Sequence, residues 1–327
     1  MYLVFDLLSN TSAAYTLFCY PPFDEALQTL LNFWGAYLQS PQSNYTLNTT
    51  SEGWFGQISM QNLVPYIYPL TFEETYVCPD PSAENKGFTS WDAFFTREFQ
   101  ADARPINPTY DASLIYNACE STTLQYKTDV LLHDTFWLKD MKYSLYDMLG
   151  GDTEIELSKQ FEHGTVYQAF LGPQDYHRWH SPVNGTITKA VVLGGTHYAV
   201  LPDDGSPGND GLVKGDPHGA LIRSQPWLTV VATRALIFIQ ADNTNIGLVC
   251  FIAVGMGEVS TCEVTVQVGQ TLSAGDVLGM FHFGGSSSVL VFGPQAKIRF
   301  EGADGNRIEP NTHYWINTQI GKVEAST

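Results

Sequence analysis

The chain has 327 residues, of which 34 are acidic and 16 basic, so its formal net charge is −18 at pH 7. Hydrophobic residues make up 44% and charged residues 15%, which is typical of a globular protein with a sizeable core. The negative charge argues against binding to nucleic acid or to an anionic membrane, because both require a basic surface. The sequence contains no run of about 18 apolar residues, so it predicts no membrane-spanning helix.

The cysteines and the N-terminal segment indicate which cellular compartment to expect. The five cysteines are scattered and none shows CxxC spacing, so neither a disulfide framework nor a zinc ribbon is predicted. No basic segment followed by a long apolar run begins the chain, so no signal peptide is predicted. These features favour a reduced, cytoplasmic setting, and they leave the oligomeric state open.

The first hundred residues are predicted to be helical. One apolar helix face is indicated by residues at three- and four-residue spacing: Leu27, Leu30, Leu31, Trp34 and Leu38. A second helix is predicted to begin at Thr89, with Asp92 completing a capping box, and to extend to Phe99. Pro105 and Pro108 are expected to end it.

Beyond this region short apolar runs alternate with turn residues, which predicts β-strands. The predicted strands lie at residues 186–193, 236–241, 248–254, 263–268 and 289–292. The sequence therefore predicts an α+β fold, with a helical N-terminal region (residues 1–105) and a β-rich domain (residues 106–327).

A glycine-serine segment, Gly284-Gly285 followed by Ser286, separates two apolar stretches. It is open to two interpretations. One is an ordinary hairpin turn. The other is a scissile turn, because paired glycines allow backbone conformations in which a following hydroxyl approaches the preceding carbonyl.

Two further segments contain candidate acid–base groups. His177 and His180 are three residues apart, but no third or fourth ligand follows at the spacing of a zinc finger. They are either hydrogen-bonded structural residues or catalytic ones, since histidine is a natural general base near neutral pH. Glu120 is a lone acid, for which a solvated surface charge is the ordinary interpretation.

In this order, the motifs resemble those of the phosphatidylserine decarboxylase family. The resemblance spans about residues 85–300 and rests on residues 88–99, 103–106, 176–185 and 281–287. A fungal branch of pyruvoyl-dependent decarboxylases, acting on L-tryptophan, is similar over nearly the whole chain. Its matching segments are residues 118–121, 161–164, 176–186, 241–243, 258–263 and 278–287. The resemblance implies a phosphatidylserine-decarboxylase-like fold in which residues 106–327 form the catalytic domain.

The resemblance also implies self-processing. Ser286 Oγ would attack the Gly285 carbonyl, with His180, oriented by Glu120, as the base. Elimination of the resulting ester and hydrolysis would release ammonia and leave a pyruvoyl group on a new N-terminus. The products would be chains 1–285 and 286–327.

The same resemblance implies the reaction and its acid. The pyruvoyl group would serve as the electron sink for decarboxylation, so that no pyridoxal phosphate is needed. His177 is the candidate acid that reprotonates the substrate α-carbon. Two positions depart from the phosphatidylserine enzymes: residues 284–287 replace their Leu-Gly-Ser-Thr, and Glu120 stands where they have Asp.

The expected substrate is a free aromatic L-amino acid, tryptophan first, which would give tryptamine and carbon dioxide. One alternative is a phosphatidylserine decarboxylase acting on lipid, although the acidic chain shows no membrane anchor. Another is a binding module, since residues 268–279 are similar to a hairpin of a lipoyl-type β-barrel.

An oxygen-rich segment follows the histidine motif. Its polar residues are Asp203, Asp204, Asn209, Asp210 and Asp216. The ordinary interpretation is a solvated loop, and the alternatives are a calcium site without EF-hand spacing or a segment that covers the active site.

Overall fold

The computed structural model of the chain describes residues 5, 8–9, 11–106, 111–133, 144–201, 224–259, 261–283 and 286–324. Helices dominate its first hundred residues and antiparallel strands follow, which confirms the predicted α+β fold. Within these ranges, none of the helices combines the length and apolar character needed to cross a membrane.

Eight α-helices are described. They are α1 Ser12–Phe18, α2 Pro21–Gln39, α3 Gln57–Ile67, α4 Phe72–Thr75, α5 Trp91–Phe95, α6 Leu145–Met148, α7 Ile155–Ser158 and α8 Gln225–Val231. Short 3-10 helices lie at Pro41–Thr46, Gly151–Glu154, Lys159–Phe161 and Gly257–Val259.

Helix α2 is the first helix that the sequence predicts, and its buried face is rotated from the predicted one. Pro21 suits the first turn because its missing N–H has no partner there in any helix. The buried residues are Leu27, Leu31, Gly35 and Leu38. Leu30 is instead 45% exposed. Glycine suits the inward position at residue 35 because the Phe283 ring occupies the space that a side chain there would need.

Helix α5 begins one residue later than predicted. Its N-cap is Ser90 rather than Thr89, and the Ser90 hydroxyl accepts a hydrogen bond from the Ala93 amide at 3.0 Å. Asp92 forms no capping box, because its carboxylate binds the ring of His282.

The same helix also ends earlier than predicted, at Phe95 and not at Phe99, so Pro105 and Pro108 are not what ends it. The chain turns at Thr96, and Phe99 then forms a β-bridge with Tyr76. The two rings stack with centroids 5.1 Å apart, so Phe99 is held by this contact rather than by a helix face.

Fourteen strands are described. They are β1 Leu114–Tyr116, β2 Ser121–Val130, β3 Gly164–Leu171, β4 Arg178–His180, β5 Gly185–Leu193, β6 Arg234–Ala241, β7 Leu248–Gly255, β8 Thr261–Val264, β9 Thr271–Leu272, β10 Val277–His282, β11 Ser286–Phe292, β12 Ile298–Arg299, β13 His313–Tyr314 and β14 Gln319–Val323. Four of the five predicted strands coincide with one of them, whereas the strand predicted at residues 263–268 overlaps β8 only at Glu263 and Val264.

An eight-stranded antiparallel sheet forms the centre of the molecule, in the order β13-β2-β3-β11-β7-β6-β5-β9. Side chains alternate along β11, so Leu290 packs in one buried cluster with Trp179, and Val289 packs in another. This second cluster includes Leu31 of α2. The N-terminal helices therefore share a core with the sheet, and the domain boundary at residue 105 stays a prediction.

Two smaller sheets complete the fold, β4-β10-β8 and β1-β14-β12. Strands β10 and β11, which flank the glycine-serine segment, belong to different sheets and do not pair. The interpretation of this segment as a hairpin turn is therefore wrong. The lipoyl-type hairpin is not formed either, because β9 pairs with β5 and β10 with β4 and β8.

Candidate active site

Ser286 is the first residue of β11, the strand that lies between β3 and β7. Leu171 and Gly255 are its register partners on the two sides, and its side chain has no exposure to solvent. The Ser286 Oγ lies 3.4 Å from Nδ1 of His177. The structure thus brings the predicted nucleophile, Ser286, within hydrogen-bond distance of His177, the first histidine of the motif. Gly285 lies outside the described residues.

The hydrogen bonds of His177 define its tautomer. Nε2 lies 3.1 Å from the carbonyl oxygen of Gly172, which only accepts, so Nε2 carries the hydrogen. Nδ1 consequently directs a lone pair at the hydroxyl of Ser286. Phe95 of α5 stacks on the imidazole with centroids 4.0 Å apart and restricts its rotation.

His177 is neutral at physiological pH. Burial, with a smaller contribution from the positive charge of Arg97, lowers the pKa of His177 to about 3. A neutral imidazole with a free Nδ1 lone pair is the form that accepts a proton from a serine hydroxyl.

The turn that orients His177 is itself fixed by Asp175. Its buried carboxylate accepts a hydrogen bond from the Gly172 amide at 2.7 Å and one from His313 Nε2 at 3.2 Å. We did not predict roles for Gly172, Asp175 or His313 from the sequence. The nearest signals were the position of Asp175 directly before the histidine motif (residues 176–185) and the turn-forming pair Gly172-Pro173.

His180 is placed differently from its prediction. Its Nδ1 lies 3.3 Å from Asn317 Oδ1 and its Nε2 lies 3.1 Å from the hydroxyl of Tyr176. Both ring nitrogens of His180 have these partners, and neither is hydrogen-bonded to Ser286. Burial lowers the pKa of His180 to about 4.

Glu120 is neither a surface charge nor a partner of His180. Its carboxylate is 1% exposed and accepts hydrogen bonds from Arg104 at 2.8 Å and from the Ile316 amide at 2.8 Å. Burial raises the pKa of the Glu120 carboxyl, against the opposing charge of Arg104. The predicted pairing of Glu120 with His180 is therefore corrected. Glu120 instead ties Arg104 to the C-terminal segment.

Two cavities lie beside the histidine motif. The first has about 320 Å³ and is lined by His180, Tyr176 and Arg178 among others. The second has about 280 Å³, and its walls include Trp54, Tyr66 and Pro173. Pro173 directly follows Gly172, so the second cavity adjoins the turn that orients His177.

The predicted calcium ligands are not among the described residues. Asp203, Asp204, Asn209, Asp210 and Asp216 all lie outside the described residues. Among the residues that are described, no group of three or more His, Cys, Asp or Glu side chains is arranged to hold a metal ion.

The arrangement around Ser286 suits nucleophilic chemistry on the backbone. A buried hydroxyl faces a neutral imidazole whose tautomer is set by a carbonyl on its far side. Ser286 also begins a strand that is paired on both sides, which fixes its backbone. These residues fit a serine that is converted into a pyruvoyl group.

Comparison with known proteins gives concordant results. The family model described as phosphatidylserine decarboxylase matches residues 91–312, and a second model with that description matches residues 1–63. Decarboxylase iboD of Amanita muscaria is 58% identical over 91% of this chain and 85% of its own length. The L-tryptophan decarboxylases of Psilocybe cubensis and Psilocybe cyanescens are 35% and 37% identical, over 99% and 91% of this chain and 74% and 69% of theirs.

Proposed function

The chain belongs to the phosphatidylserine decarboxylase family, whose members are pyruvoyl-dependent decarboxylases, and we propose that it cuts itself between Gly285 and Ser286 to make its own pyruvoyl group. The observation that carries this proposal is the 3.4 Å approach of Ser286 Oγ to Nδ1 of His177. No other described residue offers Ser286 Oγ a side-chain hydrogen bond, so His177, rather than His180, is assigned as the base.

The proposed cleavage takes three steps: ester formation, elimination and hydrolysis. His177 takes the hydroxyl proton and Ser286 Oγ bonds to the Gly285 carbonyl carbon; the C–N bond then breaks as His177 passes that proton to the Ser286 nitrogen, which converts the amide into an ester and a free amine. Removal of the Ser286 α-proton then expels the Gly285 carboxylate and leaves a carbon–carbon double bond. Addition of one water and loss of one ammonia yield chain 1–285 and a pyruvoyl-blocked chain 286–327.

The pyruvoyl group, once formed, supplies the electron sink for decarboxylation. The protein must then return a proton to the substrate α-carbon, and His177 adjoins the residue from which the group is made. Because burial lowers the pKa of His177 to about 3, His177 is neutral at rest, and it serves as this acid by passing on a proton that it takes up during the reaction.

We further propose that the substrate is a free aromatic L-amino acid, with tryptophan first and tryptamine and carbon dioxide as products. The two relatives named L-tryptophan decarboxylase support this, since the similarity extends over nearly the whole chain. The cavity of about 280 Å³ is lined by Trp54 and Tyr66 among others, aromatic side chains of the kind that an indole ring packs against. The net charge of −18 disfavours an anionic lipid surface.

The test is a parallel assay of carbon dioxide release from tryptophan, phenylalanine, tyrosine, serine, glutamate and detergent-dispersed phosphatidylserine. Wild-type protein should give the highest kcat/KM with tryptophan, and Ser286→Ala should be inactive with all of them. Phosphatidylserine as the best substrate would overturn the amino-acid proposal, and an active Ser286→Ala variant would overturn the origin of the pyruvoyl group.

A further inference from the structure

His282 ends β10, on the N-terminal side of the proposed cleavage bond, and it lies between two carboxylates. Its Nδ1 is 3.0 Å from one carboxylate oxygen of Asp92 and 3.1 Å from the other, and its Nε2 is 2.9 Å from Glu263. Carboxylates only accept hydrogen bonds, so both ring nitrogens donate. This arrangement requires the imidazolium form.

The charges around His282 favour that form. The charged groups of the described residues that face it are Asp92 from α5 and Glu263 from β8. Burial acts to lower the pKa of His282, but the hydrogen bonds and charges of Asp92 and Glu263 outweigh it, and the pKa is raised above its usual value.

Phe283, the next residue, is anchored by a different contact. Its φ is +67°, a left-handed conformation that is unfavourable for a bulky side chain unless its surroundings hold it. Its buried ring lies against Gly35 of α2, where a Cβ atom would be only 2.6 Å from Phe283 Cε2. The missing side chain of Gly35 therefore makes the space that the ring occupies.

Helix α5 links this anchor to the proposed base. Asp92 binds His282, while Phe95, three residues later, stacks on His177. Residues at this spacing lie on one face of a helix. Helix α5 also packs against α2, which carries Gly35. Helices α5 and α2 together thus contact both the proposed base, His177, and the residues that precede the cleavage bond, His282 and Phe283.

We propose that Asp92 and Gly35 are positioning residues for self-cleavage, which hold His282 and Phe283 so that the Gly285 carbonyl is presented to Ser286. This inference rests on the proposed self-cleavage. The N-terminal helices are then part of the processing machinery. Ser286, on the C-terminal side of the bond, is held by the pairing of β11 with β3 and β7.

The hydrogen bonds of His282 to Asp92 and Glu263 should make self-cleavage depend on pH, and the direction of the dependence follows from the pKa of His282. A histidine whose folded pKa is raised contributes stabilisation that is fully present below its unfolded pKa and is lost as pH rises through the folded value. Above that value one ring nitrogen loses its hydrogen and faces a carboxylate with a lone pair. Self-cleavage should therefore slow as pH rises through the pKa of His282.

The first test follows cleavage of freshly synthesised full-length precursor between pH 6 and pH 9. Asp92→Asn should cleave roughly 10- to 100-fold more slowly and lose the decline with pH, because a charged partner of His282 is removed. Asp129→Asn is the matched control, since Asp129 pairs with His163 at 2.7 Å on the surface, and it should match wild type. A wild-type cleavage rate and pH profile in Asp92→Asn would overturn the positioning role of Asp92.

A second test uses shape rather than charge. Gly35→Ala places a methyl group against the Phe283 ring and should slow cleavage, and adding Phe283→Leu should restore part of the rate by relieving the contact. Gly35→Ala at the wild-type rate, or a double variant no faster than Gly35→Ala, would refute the positioning role. An uncut wild-type protein would instead refute the proposed self-cleavage itself.

Discussion

Replacement of His177 by Asn tests the assignment of the base. Asn retains a polar group near the position of Nδ1 but accepts no proton at neutral pH, so Ser286 loses the imidazole now 3.4 Å away. Loss of a general base costs roughly 10²–10⁴-fold in rate, or about 3–5 kcal/mol of activation free energy. Self-cleavage of His177→Asn should slow by this factor.

His180→Ala is the matched comparison, because it removes a buried histidine from the same motif that does not contact Ser286. It loses hydrogen bonds to Tyr176 and Asn317 and should lower the free energy of unfolding by about 1–3 kcal/mol. Its cleavage should slow by less than about 10-fold if it lacks the role of base. The assay is a time course of precursor loss on denaturing gels. If His180→Ala stopped cleavage and His177→Asn cleaved normally, our assignment of the base would be wrong.

Three other predictions concern stability, substrate and metal. Glu120→Gln leaves Arg104 buried without its counter-charge and should lower the free energy of unfolding by about 3–5 kcal/mol. Urea denaturation in an uncut Ser286→Ala background measures this, and an unchanged denaturation midpoint would contradict the pairing of Glu120 with Arg104. Trp54→Ala should raise KM for tryptophan roughly 10-fold while Trp54→Phe has a smaller effect, and equal KM values in steady-state assays would exclude this cavity. Calcium binding at residues 203–216 predicts that EDTA lowers Tm and that calcium restores it, and an unchanged Tm would remove the metal.

The secondary structure was predictable where the sequence pattern was long or clearly bounded. Helix α2 follows from apolar residues at three- and four-residue spacing, and the central strands β6 and β7 follow from continuous apolar runs between turn residues. The limits of α5 did not follow, because its aromatic side chains serve different contacts. Phe95 stacks on His177, whereas Phe99 stacks on Tyr76.

The motifs of the site were visible in the sequence, but the partners within it were not. His177 and His180 are three residues apart, and they are distinguished only by their partners: His177 lies between the Gly172 carbonyl and Ser286, whereas His180 lies between Tyr176 and Asn317. Glu120 could not be assigned to Arg104 without knowing that both are buried. Such contacts depend on packing between elements that are remote in sequence.

The central claim is self-cleavage at Gly285-Ser286, and intact mass spectrometry under denaturing conditions tests it most directly. The wild-type protein should give two chains, 1–285 and a pyruvoyl-blocked 286–327, whose summed mass equals that of the precursor plus water minus ammonia. Ser286→Ala should give a single uncut chain. A wild-type chain that stays intact under conditions in which it decarboxylates its substrate, or a Ser286→Ala chain that is cut at the same bond, would contradict the account.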